Sequence, residues 1–182
     1  MAKTVTRYQT DWQQIAAIVP FYQPSNGRTG LLVYYQNGLR ECIADCTCRR
    51  VLTELAAYLG TSLPQLRHKA AQEGRSRKVP LCYHPQLCLV PVKFRHERRK
   101  NNSTLGYLNL PAVARVLQND DGTSTIHFHG SSMPLIALQH KATIQSQLAC
   151  GKMLLAAQYE QLAPEAVADV VRAQRRQFPW ER

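Results

Sequence analysis

Acidic residues are scarce in this chain: 12 Asp and Glu stand against 23 Lys and Arg, for a formal net charge of +11. A field of that sign disfavours basic partners and attracts polyanions, nucleic acid first among them. Long apolar runs are missing as well. No stretch approaches the roughly 18 to 20 apolar residues of a spanning helix, and the opening segment MAKTVTRYQTDWQQ has no apolar signal-peptide core. The basic segment also lacks the Trp/Phe/Leu face of an interfacial helix. The expectation is a soluble, cytoplasmic protein with no membrane partner. Nothing matches GxSxG, a P-loop, HExxH or a Gly-rich dinucleotide turn. Asp45, Asp120, Asp121 and Asp169 fall in cap, turn and helix contexts and form no catalytic pair. The chain reads as a non-enzyme that needs no cofactor.

Six cysteines are present, Cys42, Cys46, Cys48, Cys82, Cys88 and Cys150. Without a secretory signal they read as reduced thiols. Cys42-x3-Cys46-x-Cys48 and Cys82-x-His84-x3-Cys88 have neither the paired CxxC knuckles of a zinc ribbon nor the C-C, H-H spacing of a finger. Free Cys is among the most buried residue types, so buried thiols are preferred to a structural zinc. His127 and His129 fall on one face of a strand and read as a polar strand face rather than metal ligands.

The 182 residues and 45% hydrophobic content suit one ordinary domain, 1–182, with a real core. Residues 1–46 form a small antiparallel unit: a strand within DWQQIAAIVPFYQ, then LLVYYQNG and its partner LRECIAD, separated by Asn-Gly turns. Residues 47–74 form a helical hairpin. Val51, Leu52, Leu55, Tyr58 and Leu59 recur at helical spacing, Gly60 stops the first helix, and Ser62 caps the second with Pro64 in its first turn. Residues 75–138 form a basic β region with strands in VPLCYHPQLCLVPV, GYLNLPAVARVL, TSTIHFH and MPLIAL. Residues 139–182 carry C-terminal helices, the first marked by Ile144, Leu148, Leu155 and Tyr159 and broken at Pro164. The predicted class is α+β, mainly antiparallel sheet with a helical hairpin insertion.

The positive charge is concentrated. Between residues 67 and 100, Arg67, Lys69, Arg75, Arg77, Lys78, Lys93, Arg95, Arg98, Arg99 and Lys100 stand against Glu73 and Glu97, a balance of +8 over 34 residues. Two clusters flank the strand region, RSRK at 75–78 and KFRHERRKNN at 93–102. Fully extended, the run between them separates the clusters by at most ~40 Å, about one duplex turn. A fold-back at Pro85 brings them closer.

The order of features from Tyr58 onward is similar to the competence transcription factor (ComK) family: YLGTSL, RSRKVPL, LCLVPV, LGYLNL, TIHFHGSSMPL and IQSQLACGKML with Gln147, covering about residues 30 to 160. Shared order and spacing carry the resemblance. Val90-Pro91 stands where members tend to have Phe-Pro-Thr, and His129-Gly-Ser replaces Asn-Gly. The resemblance implies an oligomeric activator that binds paired A/T-rich boxes in double-stranded DNA, largely from the minor groove, and switches on genes for DNA uptake. It implies RNA polymerase and a proteolytic adaptor as further partners, although the tail QFPWER lacks the Phe-Met-Leu type element tied to adaptor control in some relatives.

On this reading Arg95, Arg98 and Arg99 enter the groove, because a narrow A/T-rich minor groove deepens the negative potential and guanidinium sheds water readily. Asn101 and Asn102 read acceptor edges. Lys93, Lys100, Arg75, Arg77 and Lys78 neutralise phosphates, as do Arg67 and Lys69. A second reading makes the helical hairpin a helix-turn-helix, with residues 62–73 in the major groove through Gln65, Arg67, His68 and Lys69. A plain hairpin packed on a sheet satisfies the same apolar spacing. A third reading is an RNA-binding or adaptor module, for which no RNP-type aromatic signature is present.

Overall fold

The computed structural model describes residues 6–24, 26–72, 78–97 and 104–162. Their architecture is α+β, with mainly antiparallel sheets and a long helix toward the C-terminal end. A six-stranded sheet runs in the order β3-β2-β1-β6-β5-β4. Its strands are β1 (Ile15–Tyr22), β2 (Thr29–Tyr35), β3 (Arg40–Ile43), β4 (Leu81–His84), β5 (Leu87–Lys93) and β6 (Leu105–Asn109). A three-stranded sheet pairs β7 (Val113–Gln118), β8 (Ser124–Phe128) and β9 (Leu135–Ala137). The helices are α1 (Arg7–Thr10), α2 (Cys48–Tyr58), α3 (Leu63–Gln72) and α4 (Lys141–Leu162).

The large sheet is covered on both faces. Alternation along β5 divides its apolar run: Leu87 and Leu89 face a core shared with Val51, Leu52 and Leu55 of α2 and Leu63 and Leu66 of α3. Cys88, Val90 and Val92 face a second core with Val116, Ile126 and Phe128 of the small sheet and Ile144 and Leu148 of α4. This double burial explains why LCLVPV reads as an unbroken apolar run. Pro91 is tolerated because β4 pairs with β5 only as far as Leu89, leaving the proline's missing N–H no ladder partner to lose.

The GYLNLPAVARVL segment is not one strand. A single 3-10 turn at Leu110–Ala112, entered through Pro111, carries the chain from β6 in the large sheet to β7 in the small one. The join is fixed from inside by fully buried Asn109. Its amide donates to the Ile15 and Gln86 carbonyls at 2.8 and 2.9 Å and accepts from the Cys88 N–H at 3.1 Å, which ties three strands together.

The helical hairpin forms as its residues require. Thr47 caps α2 through the Arg50 N–H, a contact worth roughly 1 kcal/mol. At the other end Gly60 adopts φ +70°, Thr61 N–H reaches Ala56 O at 2.8 Å and Gly60 N–H reaches Ala57 O at 3.3 Å. That pair of bonds is a Schellman stop. Ser62 Oγ then accepts from Gln65 N–H at 3.4 Å to start α3. In α4, Ile144 and Leu148 are buried as expected, whereas Tyr159 is 50% exposed. The helix expected after Pro164 lies outside the described residues.

Candidate nucleic-acid interface

Antiparallel pairing sends one set of chain ends to the same end of the large sheet. Tyr22 at the close of β1 pairs with Thr29 at the start of β2, Ile43 at the close of β3 pairs with Leu31, and Lys93 at the close of β5 pairs with Leu105 at the start of β6. Helix α2 begins here too, with the Cys48 thiol donating to the Leu105 carbonyl at 3.4 Å. The run between the basic clusters folds back at Pro85–Gln86, so β4 is entered from this same end and Lys78 lies three residues ahead of its first position. The extended separation of the clusters therefore does not apply.

Lys93 is half-buried and Lys78 is exposed with φ +54°; among the described residues neither is in an ion pair. Arg28, in the turn after β1, and Arg49 and Arg50, in the first turn of α2, are exposed at this end as well. Arg28 is 3.6 Å from Asp45 and Arg50 is 3.0 Å from Glu54, so part of their charge is offset locally. Sequence patterning alone does not assign these arginines, because they lie far from the basic clusters in sequence. The signal that could have found them is topological: each sits where an element begins or turns at the sheet end from which the chain leaves β5.

Arg95 departs from the expectation of a groove residue. It is 8% exposed, its guanidinium donates to the Phe21 carbonyl at 2.8 Å and to Thr29 Oγ1 at 3.3 Å, and it lies 4.0 Å from the centre of the Tyr22 ring. A planar, always-charged group with several donors suits a site that offers a carbonyl, a hydroxyl and an aromatic face together. Arg95 thus fastens the chain that leaves β5 to the β1–β2 turn. Tyr22 adds a long hydrogen bond from its hydroxyl to the His96 carbonyl, 3.4 Å. Gly106, near the start of β6, leaves no room for a side chain: a Cβ there would overlap the Ile18 carbonyl and lie 2.8 Å from Pro20 Cδ. Arg75, Arg77, Arg98, Arg99, Lys100, Asn101 and Asn102 lie outside the described residues.

On α3, Gln65, Arg67, His68 and Lys69 are all exposed, while Leu63, Leu66 and Ala70 are buried. Burial raises the pKa of the Tyr107 phenol to about 12, and Arg67 is near enough to oppose that push. The helix therefore packs on the sheet through one side, with Arg67 at the edge of that contact, and leaves all four polar side chains exposed. Cys48, also deeply buried, has its thiol pushed up to about 12, which makes it a poor nucleophile. Among the described residues no group of three or more His, Cys, Asp or Glu is arranged to hold a metal, and no helix is long and apolar enough to cross a membrane. No family model, curated protein or solved structure matches the chain.

Proposed function

We propose that this chain is a cytoplasmic DNA-binding transcriptional activator, not an enzyme, that binds A/T-rich duplex through the basic end of its large sheet. The observation that carries the reading is the convergence there of Lys78, Lys93, Arg28 and Arg49 with the chain ends that lead into both basic segments. Cations gathered on one surface can track phosphates, which positions the protein, while guanidinium and amide groups in the loop read the groove. The buried Arg95 supports this role indirectly, because a pinned loop root limits the ordering cost of binding. Activation of DNA-uptake genes, oligomeric binding to paired boxes, and contacts with RNA polymerase and a proteolytic adaptor rest on the similarity of motif order to the competence transcription factor family.

The test uses the full chain and two duplexes, one A/T-rich and one scrambled and G/C-rich, at one fixed salt concentration. Changing Arg98 and Arg99 to Ala lowers affinity for the A/T-rich duplex by about 1 to 3 kcal/mol per groove arginine and reduces the preference between duplexes. Methylation interference at adenine N3 with none at guanine N7 marks the minor groove. Unchanged preference in the double variant, or equal affinity for an acidic polypeptide, overturns the proposal.

A second reading is favoured by one observation, the joint exposure of Gln65, Arg67, His68 and Lys69 on α3. In that case α3 reads the major groove, and interference appears at guanine N7.

A further inference from the structure

Cys82 and Cys88 are directly opposite each other in the β4–β5 hairpin. The Cys88 N–H is directed away from β4, toward β6, where it donates to Asn109 Oδ1 at 3.1 Å. In an antiparallel pair a residue's N–H and C=O point to the same side, so Cys82 and Cys88 form a non-hydrogen-bonded pair. Such pairs bring Cα atoms to about 4.5 Å, within the ~4.4–6.8 Å window a disulfide spans. Because the residues are directly opposite, both side chains leave the same face of the sheet.

Their surroundings differ. Cys88 is fully buried, with its sulfur 3.9 Å from the Gly151 carbonyl of α4. The adjoining Cys82 thiol and burial both push the Cys88 thiol's pKa up, so Cys88 is not the first thiol to react. Cys82 is half-buried and lines a cavity of about 130 Å³ between α3, β4 and α4, bounded by Leu66, Ala70, Leu154 and Gln158. Exposed Lys69 and Gln72 also line it, which puts the Cys82 side of the pair in communication with the surface.

We propose that Cys82 and Cys88 are a peroxide-sensitive thiol pair that closes into a cross-strand disulfide. A hydroperoxide enters by the cavity, and the Cys82 sulfur attacks its O–O bond. The S–O bond of a sulfenic acid forms and the distal oxygen leaves as water or alcohol. The Cys88 sulfur then attacks the Cys82 sulfur; the S–S bond forms, the S–O bond breaks, and the departing hydroxide takes the Cys88 proton as water. Two thiols are oxidised by two electrons and one peroxide is reduced. The product clasps the hairpin through which the chain enters from residue 78 and leaves toward residue 94. Cys150, buried on α4 in the same small apolar cluster as Cys82, is the competing partner.

The experiment treats the reduced full chain with hydrogen peroxide, then alkylates free thiols after unfolding. Six alkylatable thiols should fall to four, a loss of two of the chain's six cysteines, and return on treatment with dithiothreitol. Cys82 and Cys88 lie on one tryptic peptide, residues 79–93, with no Lys or Arg between its ends. The expected product is therefore that single peptide lighter by two hydrogens. Cys150→Ser should give the same product, and Cys88→Ala should leave a sulfenic acid on Cys82 that dimedone traps. Retention of all six thiols, a link joining peptide 79–93 to the peptide carrying Cys150, or wild-type Cys82 accumulating as sulfinic acid without a disulfide each overturns the proposal. The wild-type map requires no variant, so a fold lost on substituting Cys88 leaves the test intact.

Discussion

Just past β5 the backbone is tied down by a buried cation, whereas on α3 the cations project from a helix seated by its apolar side. Arg95 uses its guanidinium inward, on Phe21, Thr29 and Tyr22. Arg67, His68 and Lys69 are exposed, and the same helix is seated by Leu63, Leu66 and Ala70. The difference separates two uses of positive charge that look alike in sequence. A charge can position a surface or be the surface, and only the fold says which.

Salt dependence separates the two uses of charge by the widest margin. If about six cations neutralise phosphates, log affinity falls with log salt at a slope near −5, roughly a thousandfold loss between 50 and 200 mM. The slope should shrink by about 0.9 for each phosphate-contacting cation removed, Lys78→Ala and Lys93→Ala included. Arg95→Ala should leave it unchanged once the variant's folded fraction is accounted for. Fluorescence anisotropy over a salt series measures this, and a flat response removes DNA from the account.

Stability gives the next largest contrast. Arg95→Ala strips the Phe21 carbonyl and Thr29 hydroxyl of a charged donor and uncovers the Tyr22 ring, a cost of about 2 kcal/mol in urea unfolding. Arg95→Lys should recover little, since an ammonium cannot match a planar fork to two acceptors and a ring. Gly106→Ala presses a methyl against the Ile18 carbonyl, Phe94 and Pro20 and should destabilise by roughly 1 to 3 kcal/mol. Single alanines at Arg67, His68 or Lys69 should stay within about 0.5 kcal/mol of wild type. An Arg95→Ala variant as stable as wild type would make the buried contacts dispensable and return this residue to the surface candidates.

Much of the fold was legible in the sequence where local chemistry decides it. Gly60 and Ser62 bound the two helices because caps and left-handed stops are set by a few adjacent residues. The Asn-Gly turn after β2 was legible for the same reason, whereas the fold-back at Pro85 was one of two geometries the sequence left open. What escaped depends on distant pairing. Nothing local in LNLPAV says that the chain changes sheets at Leu110–Ala112; Asn109 does so by bonding to Ile15 and Gln86, both remote in sequence. Arg95 escaped likewise, since its partners are 66 and 74 positions away. Arg28 and Arg49 join the basic end only once β1, β2 and α2 are placed. A charge run is visible in sequence, but which of its members turn inward is a property of tertiary contacts.

The smallest expected effect decides most directly between the two regions. Arg67→Ala, His68→Ala and Lys69→Ala together leave the buried side of α3 intact, so circular dichroism and the unfolding midpoint should change little. If α3 only meets phosphate or lies beside the duplex, affinity drops modestly and by the same factor on the A/T-rich and the G/C-rich duplex, because phosphates carry no sequence information. If α3 is a recognition helix, each lost base contact costs about 1 to 3 kcal/mol on the preferred duplex alone, and the preference collapses. The expected result is the uniform loss. A triple variant that binds both duplexes equally, beside a loop variant that keeps its preference, would move recognition from the pinned loop to the helix.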